Sequence, residues 1–188
     1  MKLFQKTWFA WLLTAVMIVA AVGIGQTKGG QREPEPLPAG DTALDESLSI
    51  EGYTDYVLDE TGTLTSKQTD QISLYNANWA MRYDSIIAVA VKRSVSGNLD
   101  DYAYDLGMDI GLSGSDAILV IDASTQDAYL AASPDYPLTD SQISTYVTSA
   151  LRPYVESGKY GGGILNLFLE LNQFYVDNYG LGYLDNNS

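Results

Sequence analysis

The sequence of 188 residues contains no cysteine and no histidine. Without cysteine, no disulfide can hold the fold together and no thiolate is available for catalysis, so the fold depends on its hydrophobic core. Without histidine, the chain lacks the commonest general base and the commonest ligand of transition metals. These absences exclude Ser-His-Asp and Cys-His catalytic sites. Any metal would have to bind through oxygen, which favours Ca²⁺ or Mg²⁺ over zinc.

Basic residues are scarce, and acidic residues are missing from the N-terminal end. The chain has 24 Asp and Glu against 10 Lys and Arg, and none of the acidic residues precedes Glu33. Residues 1–32 therefore carry +4, whereas the rest of the chain holds 24 acidic against six basic side chains, a net charge of −18. A surface this acidic repels the phosphate backbone and attracts cations or basic partners. Nucleic acid is accordingly not an expected partner.

A run without any charged residue, TWFAWLLTAVMIVAAVGIG, extends over residues 7–25. At about 1.5 Å per helical residue it is long enough to cross a hydrocarbon core of roughly 30 Å. Lys2 and Lys6 precede it, which favours a cytoplasmic N-terminus and a domain outside the cytoplasm. Residues 1–25 are therefore predicted to be a signal peptide or an N-terminal membrane anchor. The length of the run favours a retained single-pass anchor over cleavage, which would make the protein secreted.

The rest of the chain divides into a linker and one domain. Residues 26–50 combine glycine, proline and charge without apolar periodicity. This composition predicts a flexible linker that spaces the domain from the membrane. Residues 51–188 are then predicted to form one domain, because about 140 residues are enough to bury an independent core.

Strand and helix patterns alternate along residues 51–188. The runs SIIAVAV (85–91) and AILVI (117–121) are too apolar to alternate, as is typical of strands buried on both faces. Helix starts are marked by two capping boxes, in which a threonine is followed three residues later by a glutamine: Thr65 with Gln68, and Thr139 with Gln142. The patterns predict an α/β fold, a three-layer sandwich whose central, mostly buried sheet of about four strands is covered by helices.

Three aspartates stand at the ends of predicted strands: Asp59 after the first, Asp116 before a buried strand, and Asp122 after that strand. Ligands of open α/β sheets gather at strand ends, so these carboxylates are the candidate metal ligands, with Ca²⁺ as the expected ion. The alternative is that they form turns and caps, as aspartates in loops ordinarily do. The sequence assigns no catalytic residue and no site for an organic cofactor.

Two further motifs suggest a ligand but have simpler structural interpretations. Asp101, Asp105 and Asp109 recur every four residues, so they would line one face of a helix, where a cation or solvent would relieve their repulsion. The segment SGKYGGG (157–163) is rich in glycine, yet it lacks the GK[ST] ending of a phosphate-binding loop. We interpret the aspartates as a solvated helix face and the glycine-rich segment as a connection that starts the last helix.

Several segments follow one another in a recognisable order and spacing over about residues 54–178. They are YVLD (56–59) with Gly62 and Leu64, IIAVAV (86–91), DDYAYDLGMDIG (100–111), AILVID (117–122), LTDSQI (138–143) and LRPYVESGKYGGGI (151–164). Together they resemble the TPM domain family. The family includes thylakoid-lumen, photosystem II repair and bacterial envelope members. The resemblance implies an α/β sandwich attached to or exported across a membrane, with acid phosphatase activity or Ca²⁺ binding in some members.

The chain departs from the family's pattern at two places. The family's Asp-Asn-Gly before the second core strand is Ser115-Asp116-Ala117 here, and its glycine-rich turn preceded by arginine is AASPDY at 131–136. Phosphoryl transfer needs positive groups or a metal aimed at the phosphate, so both departures weaken a catalytic interpretation. The sequence favours a non-catalytic accessory module for an unidentified envelope or membrane protein complex. The alternative is a metal-dependent acid phosphatase.

The N-terminal run leads to a first prediction, on membrane attachment. We expect the protein to remain with membranes after a carbonate wash, because residues 7–25 are long and apolar enough to span them. Immunoblotting of the washed pellet and the supernatant measures the distribution. A soluble form that begins near Ile24 or Gln26 would instead show that a signal peptide has been removed.

Overall fold

The computed structural model describes residues 37–112 and 114–184 and is built on a four-stranded mixed sheet. The strands lie in chain order across the sheet: β1 (Val57–Asp59), β2 (Ile87–Lys92), β3 (Ala117–Asp122) and β4 (Asp127–Ala132). The first three strands are parallel, and β4 is antiparallel to β3. A four-stranded sheet flanked by helices confirms the predicted α/β fold.

Helices connect and follow the strands: α1 (Ser66–Tyr83), α2 (Leu99–Asp109), α3 (Asp140–Tyr146), α4 (Arg152–Val155) and α5 (Tyr160–Tyr179). Both predicted capping boxes are present, and they start α1 and α3. A π-helical turn, Val147–Leu151, joins α3 to α4. Pro153 has no N–H to donate to the carbonyl four residues before it, and the helix widens just ahead of this position.

The two faces of the sheet pack into separate cores. The larger core joins one face to α1, α3 and α5, and its aromatic centre consists of Trp79, Phe168 and Tyr175, each at most 1% exposed. The smaller core joins the other face to α2, and its buried members on the sheet are Ala88, Ala90, Ile118, Val120 and Ala131. The sheet is therefore the middle of three layers, and in the part of the chain described here α2 is the only helix in the smaller core.

The two crossover connections have opposite hands. The units β1–α1–β2 and β2–α2–β3 step in the same direction between parallel strands, yet α1 and α2 pack on opposite faces of the sheet. One of the two crossovers must therefore be left-handed, against the strong preference for right-handed connections. As a consequence, α1 packs beside α5, while α2 is the only α-helix that the described part of the chain places on the other face.

Asn76 of α1 makes the hydrogen bonds to Ile87 that a neighbouring strand would otherwise make. Ile87 begins β2 before the pairing with β1 starts, so one side of its backbone has no strand partner. The Asn76 side-chain amide donates to the Ile87 carbonyl at 3.0 Å and accepts from the Ile87 N–H at 2.9 Å. Buried backbone groups need such partners, and this pair fastens α1 to the edge of the sheet.

Part of the segment predicted as a flexible linker packs on the domain. Leu44 joins the larger core and is 9% exposed. The Asp45 N–H donates to the Asn78 side chain at 2.8 Å, and Arg82 donates to the Ala43 carbonyl at 2.7 Å. The Asn172 side chain donates to the Asp41 carboxylate at 2.6 Å, so the packed domain begins by residue 41 rather than at residue 51. Composition does not reveal this, because the partners are single side chains on α1 and α5.

The predicted membrane segment, residues 7–25, lies outside the described residues. Within residues 37–112 and 114–184, no helix is both long and apolar enough to cross a membrane. Membrane attachment and localisation therefore stay predictions.

Phe168 tests whether α5 belongs to the core. We predict that Phe168→Ala lowers the free energy of unfolding by about 3 to 5 kcal/mol, because its buried ring lies 5.8 Å from that of Tyr75 and 5.0 Å from that of Trp79, measured between ring centres. Urea unfolding followed by circular dichroism measures the change. The control is Tyr179→Ala on the same helix, where the residue is 57% exposed and the loss should stay below about 1 kcal/mol. An equally small loss for Phe168 would place α5 outside the core.

Candidate functional site

The structure places the three candidate carboxylates at opposite ends of the sheet. Asp59 is the last residue of β1 and Asp122 is the last residue of β3. The two strands are parallel, so these residues lie at the same end of the sheet, whereas Asp116 precedes β3 and lies at the other end. At about 3.3 Å per strand residue, the backbone of Asp116 is roughly 20 Å from that of Asp122. The three side chains therefore do not share one metal site. The length of β3 separates Asp116 from Asp122 whatever the direction of the strand. The parallel pairing of β1, β2 and β3, which the sequence pattern leaves open, decides that Asp122 rather than Asp116 lies at the same end of the sheet as Asp59.

Asp59 organises the turn that follows β1. Its Oδ1 accepts hydrogen bonds from Thr61 N at 2.9 Å, Thr61 Oγ1 at 2.6 Å and Gly62 N at 3.0 Å, and its Oδ2 accepts from Leu64 N at 2.7 Å. Gly62 has a φ of +69°, a conformation that favours glycine. The spacing of Asp59, Gly62 and Leu64, which contributes to the family resemblance, is thus the signature of one turn held by one carboxylate.

Asp122 has the corresponding role after β3. It is 3% exposed, and its Oδ1 accepts from Ser124 N at 2.8 Å and from Ser124 Oγ at 2.7 Å. Its Oδ2 accepts from Val95 N at 3.2 Å, so the loop after β2 is tied to the loop after β3. Burial by itself would raise the pKa of Asp122, but the hydrogen bonds from Ser124 and Val95 outweigh it and lower the pKa below its ordinary value.

Asp116 lies at the other end of the sheet and joins the starts of two strands. Its Oδ1 accepts from Ile86 N at 3.0 Å, and its backbone carbonyl accepts from Ser133 N at 2.9 Å. It lines a cavity of about 230 Å³ together with Asp84, Ser85 and others. The turn-forming alternative therefore describes the contacts of Asp59 and Asp122, whereas Asp116 links two strand starts.

Lys92 is the last residue of β2 and lies at the same end of the sheet as Asp59. Its charge interacts with other side chains of the domain. Its ammonium group forms an ion pair with Glu60 and lies 5.8 Å from the centre of the Tyr102 ring. The hydrogen bond with Glu60 raises the pKa of Lys92, and the same bond lowers the pKa of Glu60. This positive charge is therefore already compensated by a neighbouring side chain.

The glycine-rich segment includes both the connection and the helix start: residues 157–159 precede α5, and residues 160–163 form its buried first turn. A Cβ on Gly161 would lie 2.4 Å from the Gln68 side chain, and one on Gly163 would lie 2.6 Å from the Cβ of Tyr154. The glycines therefore let α5 approach α1 and α4 closely, which a larger residue would prevent. Because this helix start is covered by protein, it offers no open cradle for a phosphate.

Asp101, Asp105 and Asp109 are exposed on α2, in agreement with a solvated helix face. Over residues 37–112 and 114–184, no group of three or more acidic side chains is arranged to hold a metal ion. Ca²⁺ binding therefore stays a prediction.

Sequence reasoning missed an apolar groove beside α2. The groove has a volume of about 650 Å³ and runs between α2 and the sheet, with Tyr104 and Met108 on the helical side. Met108 is 75% exposed, which is unusual for so large an apolar side chain. The signal in the sequence is its position outside the apolar stripe of α2, which Leu99, Tyr102, Ala103 and Leu106 form.

Comparisons with known proteins identify the domain and its fold. A profile of the TPM domain matches residues 57–174, more than half of the chain. No curated protein sequence matches significantly.

Three solved structures share the fold. The N-terminal domain of a protein from P. gingivalis has a TM-score of 0.62 and 19% identity, covering 71% of this chain and 92% of that one. The N-terminal domain of the cg2496 protein from Corynebacterium glutamicum has a TM-score of 0.59 and 18% identity, covering 77% and 95%. The BA42 protein from the psychrophilic bacterium Bizionia argentinensis has a TM-score of 0.55 and 11% identity, covering 66% and 89%. At these identities the likeness shows the fold alone.

The structural role of Asp122 can be tested by measuring how the stability of an Asp122→Asn variant depends on pH. We predict that Asp122→Asn lowers the free energy of unfolding by about 1 to 3 kcal/mol at neutral pH, because an amide cannot accept all three hydrogen bonds. A carboxyl with a lowered pKa stabilises the fold above its ordinary pKa of about 3.9 and loses this contribution as the pH falls through its folded-state pKa. The difference between variant and wild type should therefore shrink below about pH 4.

Urea unfolding at several pH values measures this difference. Asp101→Asn is the matched control on an exposed site, and its effect should stay within about 0.5 kcal/mol. A difference for Asp122→Asn that is the same at all pH values would show that the charge of the carboxylate is not the source.

Proposed function

The chain belongs to the TPM domain family, and from this premise we propose that it is a non-catalytic interaction module. In this proposal the module is tethered to a membrane, or exported across it, and assists an envelope or membrane protein complex. The family resemblance, the N-terminal apolar run and the arrangement of the acidic side chains support it.

The hydrogen bonds that the candidate carboxylates accept within the domain are the main support for the proposal. Asp59 accepts four hydrogen bonds and Asp122 accepts three, all from loops next to the strands. Asp116 lies at the opposite end of the sheet and also accepts a backbone hydrogen bond. Phosphoryl transfer needs groups that converge on the reacting phosphate. Here the carboxylates hold turns or link strands at two opposite ends of the sheet, an arrangement that supports a binding role instead.

The charge of the domain points in the same direction. From Glu51 onward, 19 acidic residues stand against six basic ones, a net charge of −13. A phosphate dianion that approaches such a surface needs strong local compensation, and Lys92 is paired with Glu60. The same charge favours association with a basic surface of another protein.

Tethering rests on the apolar run at residues 7–25 and the lysines that precede it. The chain between residue 25 and the packed segment that begins by Asp41 would reach about 55 Å if fully extended. The near side of the domain would therefore lie within this distance of the membrane.

A phosphatase assay tests the proposal against its alternative, a metal-dependent acid phosphatase. We expect no appreciable hydrolysis of a phosphomonoester, with or without added Ca²⁺ or Mg²⁺, by the full-length protein. The same assay is run on Asp59→Asn and Asp116→Asn, with Asp70→Asn as an exposed control on α1. Efficient turnover that either of the first two substitutions abolishes, while Asp70→Asn leaves it intact, would overturn the proposal in favour of the enzyme.

Calorimetric titration with Ca²⁺ on the same variants tests the predicted ion. Low-affinity binding is expected, because the negative charge attracts the ion and several oxygens in flexible geometry suffice for it. A response that is unchanged in Asp59→Asn and Asp116→Asn would remove both residues as ligands.

A further inference from the structure

The α2 side of the domain is built from a stretch without positive charge. Residues 94–151 contain nine aspartates and no lysine or arginine. The stretch includes all of α2, β3 and β4 and the turn that follows β4. Four of the aspartates, Asp100, Asp101, Asp105 and Asp109, are exposed along α2. Lys92, which contacts Tyr102 of α2, is paired with Glu60. This side therefore presents a predominantly negative field to a partner.

The apolar groove opens within this acidic surface. Tyr104 and Met108, which are 46% and 75% exposed, form the helical side, and Ile118 and Ala131 of the smaller core also line it. The opposite side is the turn at residues 133–135. A Cβ on Gly107 would lie 3.3 Å from Ile118, so α2 sits close to the sheet at this point. None of the residues that line the groove is basic.

Carboxylates flank the two exposed apolar side chains of α2. Asp101 and Asp105 precede Tyr104 and Met108 by three residues, a spacing that makes them neighbours on the surface of a helix. The pKa of Tyr129 is raised to about 12 by its hydrogen bond with Tyr104, by burial and by the charges of Asp100 and Asp140. A segment that enters the groove therefore meets apolar walls and a negative rim.

We propose that this groove docks an apolar, positively charged segment of a partner protein. An amphipathic helix fits this description: its apolar side chains enter the groove, and its lysines and arginines contact the aspartates of the rim. The inference rests on the proposed function, because it assigns a surface and a chemistry to the partner of that module.

The charge distribution selects this occupant over three others. A second copy of the chain would bring two acidic faces together, which costs free energy. An anionic lipid surface and a nucleic acid would both be repelled. A basic segment with apolar anchors gains from the groove and from its rim.

The test uses the full-length chain in nanodiscs of zwitterionic lipid and a fluorescent peptide of leucine and lysine, with the leucines on one helical face. Anisotropy should show saturable binding that weakens by at least about tenfold between low and high salt. A matched peptide with glutamate in place of lysine should not bind, and empty nanodiscs measure adsorption to the lipid. Binding of both peptides alike, or of neither, would overturn the proposal.

Variants locate the binding. Tyr104→Ala with Met108→Ala should weaken it by about tenfold or more, and Asp101→Asn with Asp105→Asn should weaken it several-fold and reduce its salt dependence. Met81→Ala and Asp70→Asn are the matched controls, because both residues are exposed on α1. Circular dichroism checks that all variants fold. Equal losses in the α1 and α2 variants, or none in the α2 variants, would contradict docking at the groove.

Photo-crosslinking in native membranes separates this inference from the proposed function. A photoreactive residue is placed at Met108 or, as a control, at Met81, and the crosslinked peptides are sequenced by mass spectrometry. A basic, apolar segment of another protein crosslinked at Met108 supports the inference. Crosslinks to a second copy, to the chain's own N-terminal residues or to a segment without basic residues overturn it. A partner captured from Met81 alone would also overturn it but would leave the interaction module intact.

Discussion

The contact between α1 and α5 over one face of the sheet is the interaction on which the rest of this structure depends. With no cysteine to crosslink the chain, an aromatic cluster holds the two longest helices together. The Trp79 ring lies within 5.0 to 5.5 Å of three other rings, and its indole N–H donates to Asn172 at 2.7 Å. Asn172 in turn donates to the Asp41 carboxylate at 2.6 Å, which joins the segment before the sheet to the same core. Such a buried, satisfied polar group inside an aromatic cluster stabilises one arrangement of helices over others.

Because most of the helices pack on one face of the sheet, the other face is covered less completely. Because the two crossovers have opposite hands, α2 is the only α-helix on the far face among residues 37–112 and 114–184, and small residues and close packing leave a groove there. The face that carries the large core supplies stability, and the face with little cover remains available for binding. The acidic stretch that forms this second face, residues 94–151, then determines which partners it attracts.

The carboxylates show how a family scaffold can keep its shape when a catalytic role is not apparent. Asp59 and Asp122 hold the turns after β1 and β3, which position the strand ends that a ligand site would need. The same residues therefore support the fold whether or not they ever bind an ion. For this reason a family pattern at these positions is strong support for the fold and weak support for chemistry.

Local physical chemistry let the sequence by itself determine the buried strands, the helix starts and the charge asymmetry. The apolar runs around Val89 and Leu119, and the capping boxes at Thr65 and Thr139, act over a few neighbouring residues and do not depend on the rest of the chain.

Only the tertiary structure decided which side chains meet, because contacts across the fold depend on strand direction and on which face each helix covers. The parallel pairing of the first three strands put Asp122, rather than Asp116, at the same end of the sheet as Asp59. Helix packing brought the glycines at 161–163 against α1 and α4, and Asn76 took the hydrogen bonds that a neighbouring strand would have made. The tertiary structure also packed residues near Leu44 on the core and left Met108 exposed beside a groove, since burial depends on the neighbours that the completed fold supplies.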